Sequence, residues 1–402
     1  MDSMNKILFC IIIIITFIAS SSVASYTTYN DFQITKNRPL TQERVVSLDL
    51  PTFVKENGFR VSWSHATDQI AFDQVGSDGY YDIFLMNPDG TNETCLIDSS
   101  DLSPGHKGCA TWHPSGEYIV FTYQKNKYFG KNIPIMKTWL DKLATPGEGL
   151  NCDLWVMTAD GLHVWPLTSL PTKTWLLDKQ PYTGVLHPHF SHDGTKLLWS
   201  ERVGSADNKW GAWTLNIADF HISNGQPELM NITIFTPGET PCFYESHGFS
   251  PDDTTIIFSG NLIENQDENH LDIYTMNITT QTLSRLTTEE SEWDEHAHFT
   301  SDGSKIVWMS SHGFEMNTQR NWWDYLKTEY WIMQVDGSQK TQLSFYNNDT
   351  LEEYQIICSD CSFNVDGTQL AATVLCKNAN ASIGGIIILD FPQLFNIGEE
   401  DL

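Results

Sequence analysis

Hydrophobic and polar positions alternate along most of the chain in short runs, and the runs recur. Six segments share one layout: VSWSHATDQIAF from Val61, ATWHPSGEYIVF from Ala110, PHFSHDGTKLLW from Pro188, HGFSPDDTTIIF from His247, AHFTSDGSKIVW from Ala297 and CSFNVDGTQLAA from Cys361. Each holds an aromatic residue, a tight polar turn and an alternating apolar run, the pattern of a β-hairpin. Behind most copies comes a second pattern: YYDIFLMNPDGTNETCL from Tyr80, CDLWVMTADGLHVWPLT from Cys152, LDIYTMNITTQTLSRLT from Leu271 and EYWIMQVDGSQKTQLS from Glu329. These read as a third strand, an Asp-Gly type of turn and a fourth strand. Four strands per copy, at a spacing of about 40 to 60 residues, predict propeller blades and not a sandwich.

The expected fold class is all-β, a six-bladed β-propeller of four-stranded antiparallel blades. The sixth copy has an outer strand in GGIIILDF from Gly384, with no fourth strand before the acidic tail. RVVSLDLP from Arg44 precedes the first copy, and Val45 to Leu50 are expected to pair with the last blade. An N-terminal strand placed there closes the ring and removes free sheet edges. The expected organisation is a signal peptide over 1–25, an N-terminal segment over 26–57 containing the closing strand at 44–51, the propeller over 58–391, and an acidic tail over 392–402.

The SPDG-like turns and the D-I-Y-x-M-N strands resemble the TolB-like family of six-bladed propellers, from about Gly58 to Phe391. The resemblance implies the fold and leaves the activity open, because such propellers host many activities.

The chain's first residues break the pattern. Lys6, the apolar run from Leu8 to Ala19 and the small residues up to SSVAS have the layout of a secretory signal peptide, with cleavage expected near Ala24 or Ser25. The run is too short to span a bilayer comfortably. The expected location is therefore extracellular, with no membrane span after cleavage. Sequons at Asn92, Asn231, Asn277, Asn348 and Asn380 fit a glycoprotein. Cleavage removes Cys10 and leaves seven cysteines, an odd count that allows at most three disulfides and one thiol left over. Cys358 and Cys361 have redox-motif spacing but lack the strand-helix context that lowers a thiol pKa, so their expected role is structural.

Charge narrows the partners. The 51 Asp and Glu against 23 Lys and Arg give a net charge of -28. A field of that sign repels nucleic acid, anionic membrane and polyuronate, and attracts cations. Nucleic acid is excluded as a partner. The chain has no Gly-x-Ser-x-Gly elbow and no phosphate-binding Gly-rich loop with Lys, so no nucleotide cofactor is expected.

The chemistry most open to reading lies in the histidines. His296 and His298 stand ahead of the fifth copy's turn as His187 and His189 do in the third. Residues two apart in an extended chain share a face, so each pair is expected to present its imidazoles together. His247 of the fourth copy joins them, since blades three to five are neighbours. Several imidazoles with a carboxylate suit a divalent ion such as manganese, zinc, iron or calcium. Glu295 and Asp360, with Asp294 and Glu245 close by, are the carboxylates expected to ligate it or to hold a ligand histidine by its second nitrogen.

HGF at His247 and HAHF at His296 are similar to motifs of the oligogalacturonate lyases, a branch of the same group. That resemblance implies a divalent metal held by channel histidines from successive blades. It carries over to His247, His296 and His298, and the residues around them depart from the lyase pattern. The competing reading is that the imidazoles satisfy backbone groups between packed sheets.

Two copies carry long inserts. The one from Gln124 to Gly149 contains IMKTWLDKLA, a short amphipathic helix, and the one from His312 to Lys327 contains RNWWDYLK. Trp322, Trp323 and Tyr325 have the chemistry to stack on sugar rings and Arg320 to hold a carboxylate, or the group caps the blade core. Three functions are consistent with all of this. The protein binds a protein partner or an oligosaccharide at the channel mouth, acts as a metal-dependent lyase or hydrolase on oligosaccharide, or serves as a structural subunit of an extracellular assembly, as a homo-oligomer.

Overall fold

In the computed structural model the described residues are 50–391, except 98–101, 175–177, 207–209, 268, 316–323, 348–353 and 379. The alternating runs pair into six four-stranded antiparallel sheets. One short strand precedes the first full blade: β1 is Lys55–Glu56. Blade 1 holds β2 (Phe59–Trp63), β3 (Ile70–Val75), β4 (Tyr81–Met86) and β5 (Thr94–Cys95); blade 2 holds β6 (Lys107–Trp112), β7 (Tyr118–Gln124), β8 (Cys152–Thr158) and β9 (Val164–Pro166). Blade 3 holds β10 (Gly184–Phe190), β11 (Lys196–Gly204), β12 (Ala212–Ser223) and β13 (Gln226–Phe235). Blade 4 holds β14 (Tyr244–Phe249), β15 (Thr255–Gly260), β16 (Asp272–Asn277) and β17 (Leu283–Arg285), and blade 5 holds β18 (Asp294–Phe299), β19 (Lys305–Ser310), β20 (Glu329–Gln334) and β21 (Thr341–Gln342). Blade 6 is made of β22 (Gln355–Phe363), β23 (Gln369–Lys377) and β24 (Ser382–Asp390), with β1 as its outermost strand.

The ring closes by an N-terminal strand at Lys55–Glu56, and the expected segment 44–51 lies mostly outside the described residues. Lys55 pairs with Ile386 and Glu56 with Gly385. Of the expected segment only Leu50 and Pro51 are among the described residues, and neither is in a strand. Gly385 explains the register: a Cβ there would stand 2.2 Å from the Lys55 carbonyl oxygen, so the glycine permits the close approach that closure needs.

Inner strands lose the alternation of a half-buried sheet. Every residue of β6 and β14 is buried, because these strands pack between neighbouring blades and face the axis. Trp199, Trp308, Tyr244, Tyr274 and Tyr330 are the largest side chains fully buried between sheets. The turns that follow the inner strands hold themselves shut. Asp193, for example, accepts hydrogen bonds from Ser191 Oγ and from the Thr195 N–H and hydroxyl.

The first insert folds as expected around one helix, α1 (Pro134–Leu143), which buries Leu140. No helix among the described residues is long and apolar enough to cross a membrane. The signal-peptide segment and the acidic tail lie outside the described residues. The expected disulfides do not form among the described cysteines, of which Cys95 is exposed and the other six are buried. Cys358, Cys361 and Cys376 pack into one apolar cluster of blade 6, where burial pushes the Cys376 thiol up to about 11. Cys95 lies in blade 1, Cys109 and Cys152 in blade 2, and Cys242 just ahead of blade 4.

Candidate metal centre in the central channel

Each inner strand carries one irregularity, at the same level of the ring. The register shifts between Phe59 and Ser62, Gly108 and Thr111, Leu186 and His189, Ser246 and Gly248, Glu295 and His298, and Cys358 and Cys361. A bulge leaves its extra residue out of the ladder and re-aims the side chain. Arg60, Cys109, His187, His247, His296 and Asp360, one from each blade, stand at these bulges and line a cavity of about 320 Å³ on the axis. Arg60, Cys109, His187 and His296 have φ of 49, 48, 43 and 53°, a region that costs an L-residue about 1–2 kcal/mol. Strain repeated at equivalent positions is typical of a site, not of a loop accident.

A bulge separates His187 from His189 and His296 from His298 in the ladder, and all four line the same cavity as His247. The donor atoms of His187, Glu245, His247 and His296 all lie within 4.8 Å of one another, a group that can hold a metal ion. His189 and His298 instead face each other, with ring centroids 5.7 Å apart. The one-residue offset of His247 from the other histidines has the same cause. Its bulge is closed by Gly248, whose φ of 127° only glycine adopts readily.

Around the group, His187 Nε2 lies 3.3 Å from Glu245 Oε1, and His296 Nδ1 lies 3.8 Å from the same oxygen. His247 Nε2 meets Ser259 Oγ, which fixes that ring from the adjacent strand. Asp360 Oδ1 is 3.4 Å from His296 Nδ1 and 3.8 Å from His187 Nδ1, the place of a group that orients ligand histidines. Glu295 Oε2 is 3.6 Å from His296 Nε2 and accepts a hydrogen bond from Trp293 Nε1. Asp294 lies deeper and accepts from Trp308 Nε1. Of the expected ligands, therefore, His187, His247 and His296 come together with Glu245, while Asp360 and Glu295 stand beside them and His189 and His298 line the same cavity, the His298 ring 6.2 Å from that of His247.

Electrostatics here favour a cation. Burial pushes His187 down to about 3 and His298 to about 4, and lowers His189 and His247 well below the usual range, so these imidazoles are neutral near pH 7. Burial, and then the charge of Glu295 and a hydrogen bond to it, push the Glu245 carboxyl well above its usual range. Burial works against ionisation of Asp360, yet the neighbouring His296, His187 and Arg60 hold it below the usual range. Of those three, Arg60 supplies the permanent positive charge. Neutral lone pairs and crowded carboxylates are the donor set that zinc, manganese and iron take.

The sequence reading missed Arg60, Asp73 and Cys109. Arg60 Nη1 pairs with Asp73 Oδ1 at 3.2 Å, and Asp73 Oδ2 accepts from the Cys109 N–H at 3.1 Å. Burial outweighs the arginine and pushes Asp73 up to about 6. The return of the first insert, residues 145–149, lies on this pair. A Cβ added to Gly147 would stand 2.4 Å from Arg60 Nη2, and one added to Gly108 would stand 2.3 Å from Pro146 Cγ. A sequence signal for these residues did exist: Arg60, Cys109 and Asp360 each precede the repeat's aromatic by three positions, as His187 and His296 do.

The expected sugar-binding group is mostly outside the described residues, which include Tyr325, exposed, but not Arg320, Trp322 or Trp323. Among the sequons, Asn92, Asn231 and Asn380 are exposed and Asn277 is half-buried, while Asn348 lies outside the described residues.

No protein-family profile matches the chain, and no curated protein matches it. Among solved structures, it is similar to TolB from Acinetobacter baumannii, with 14% identity over 81% of this chain and 66% of that one, just under two thirds, at a TM-score of 0.46. A putative TolB from Agrobacterium tumefaciens shares 12% identity over 83% of this chain and 91% of its own, at a TM-score of 0.46. An oligogalacturonate lyase in complex with manganese shares 14% identity over 83% and 78%, at a TM-score of 0.44. These are the two groups that the repeats and the HGF and HAHF motifs resemble. The architecture itself rests on the strand pairing described above.

Proposed function

We propose that this protein binds one divalent metal ion at His187, Glu245, His247 and His296 and uses it to hold an oxygen-bearing ligand, the end of an oligosaccharide, in the channel cavity. One observation carries the reading: His187, His247 and His296 are both members of the four-donor group and walls of the cavity. A structural site is closed on all sides by protein, whereas a working site keeps a side open to a ligand. When bound, the ion supplies positive charge to polarise a ligand oxygen. The chain's own residues do the rest. Glu245 gives up its proton on ligation, Asp360 orients the rings of His187 and His296, and Arg60, paired with Asp73, adds positive charge to the same wall.

Elemental analysis of protein purified without added metal tests this. The expected result is close to one equivalent of manganese, zinc or iron, and a higher Tm when metal is restored after chelation. Less than about a tenth of an equivalent with no change in Tm overturns the proposal.

A second reading, a metal-dependent lyase or hydrolase on oligosaccharide, has one observation in its favour. His189 Nε2 is buried without a hydrogen-bond partner beside the metal group, and a neutral imidazole so placed can take a proton. A His189→Gln variant that keeps its metal and loses turnover of an oligosaccharide supports it. Unchanged turnover removes it.

The protein's setting belongs to the same proposal. The signal-peptide pattern at the start of the chain and three exposed sequons support a secreted glycoprotein.

A further inference from the structure

The cavity has an exposed end and a buried end. His65, His113, His192, Ser301 and Val365, exposed except for the half-buried His113, stand on the turns that follow the inner strands, and the buried His187, His247 and His296 stand at the bulges. Beyond the bulges Asp73, Glu245 and Glu295 are buried, and the segment 145–149 lies against Arg60 and Gly108. A ligand therefore meets the site through the turns.

Those turns carry a carboxylate in every blade: Asp68, Glu117, Asp193, Asp252, Asp302 and Asp366, all exposed, and in blade 4 also the half-buried Asp253, which is bonded to His192. Hydrogen bonds from hydroxyls and N–H groups of the same turns hold Asp193, Asp252, Asp302 and Asp366 below the usual range, so they are charged at any working pH. The residues lining the cavity contribute one permanent cation, Arg60, and it is already paired with Asp73. On the cavity wall, the Nε2 of His189 is buried without a hydrogen-bond partner and is open to a ligand's donor. Around the cavity's entrance the turn carboxylates outnumber the lysines that follow the turns, Lys305 and Lys196, the latter paired with Asp219. An excess of one sign around a low-dielectric funnel focuses the field along its axis and enriches ions of the opposite sign.

We infer that the funnel selects its ligand by charge, taking a short neutral or cationic molecule, or the neutral end of a longer one, and turning away polyanions such as polyuronates. The inference rests on the assignment of this cavity as the ligand site, and it names the class of ligand that the site takes. The metal supplies the local attraction for an oxygen donor, and the turn carboxylates decide which molecules arrive. An acidic saccharide, the substrate that the lyase-like motifs would imply, meets repulsion at the entrance.

The test needs no metal, so its outcome is separable from that of the metal proposal. Ser301, exposed and on the cavity wall, is replaced by cysteine in a Cys95→Ser background, and metal is removed with chelator. Two methanethiosulfonate reagents of similar size, one carrying a trimethylammonium group and one a sulfonate, then report access by their rates of thiol modification. Cys95 of the unsubstituted protein, exposed on an outer strand, is the reference, and the Cys95→Ser protein is the blank for buried thiols. The expected cation-to-anion rate ratio at position 301 exceeds that at Cys95 by about tenfold or more at low salt. It should collapse towards the Cys95 ratio near ~1 M salt, where screening acts within about 3 Å. Equal ratios at the two positions, or a ratio indifferent to salt, overturn the inference. A Val365→Cys reporter, at a second exposed position of the wall, repeats the measurement should the first variant fail to fold.

Discussion

His187 and Glu245 belong to neighbouring blades, yet His187 Nε2 stands 3.3 Å from Glu245 Oε1 in a buried pocket. A bulge in β10 turns the imidazole to the axis, and the carboxylate reaches it from the inner strand of the next blade. This contact joins two of the four donors. Removing either partner leaves the other to its remaining neighbours, His296 and Glu295 for the carboxylate and Asp360 for the imidazole.

Glu245→Gln tests the centre with little change of shape. An amide is a poor ligand for a divalent ion, so metal affinity should fall by about 100-fold or more, while the fold persists. Calorimetric titration with manganese or zinc reads the affinity, and unchanged binding would remove Glu245 from the ligand set. His247→Ala should have a similar effect through loss of a nitrogen donor.

Two glycine substitutions separate backbone strain from collision. Gly225 has φ of 78° and open space around its missing Cβ, so Gly225→Ala should cost about 1 kcal/mol from conformation alone. Gly149 has φ of 61°, and a Cβ there would stand 2.2 Å from the Val185 carbonyl oxygen, which cannot move without breaking the sheet. Gly149→Ala should therefore cost about 3 kcal/mol or more and loosen the segment over Arg60. Denaturant unfolding of both variants gives the comparison, and equal losses would show that 145–149 yields freely.

The pH dependence of stability should carry the mark of Asp73. Its folded pKa is raised from 3.8 to about 6, because burial outweighs the Arg60 charge. Between these values the unfolded state has released a proton that the folded state retains. Stability from this group is thus full below pH 4 and lost as pH rises to about 6, on the order of 3 kcal/mol at most. Thermal unfolding across that window should show an Asp73→Asn variant with a shallower fall than the parent. Parallel profiles would contradict the assignment.

Expression in a eukaryotic secretory host tests the setting. The expected product begins near residue 25, and enzymatic deglycosylation lowers its mass through sites that include the exposed Asn92 and Asn380. An intracellular, uncleaved and unmodified product would sink the secretory reading.

Much of the molecule was legible beforehand because its information is local. The turn chemistry of SHDG or TSDG and the alternation around it specify a hairpin without reference to anything distant, and repetition of the hairpins specifies the wheel. His187, His247 and His296 could be singled out because imidazole is rare and they recur at matched places. Glu245 was harder to rank, since nothing in YESHGF separates a ligand carboxylate from one that is merely buried.

What the sequence determined alone was the strand pattern, the number of blades, the sign of the field and the set of histidines that the ring would gather. Tertiary structure decided which of them meet. A bulge shifts phase within a strand by a single residue, and no alternation of apolar and polar positions records it, so spacing along the chain did not say which imidazoles share one carboxylate. Arg60, Asp73 and the Gly147 segment met for a similar reason: blade-to-blade packing and the path of an insert set distances that pairwise spacing along the chain does not contain.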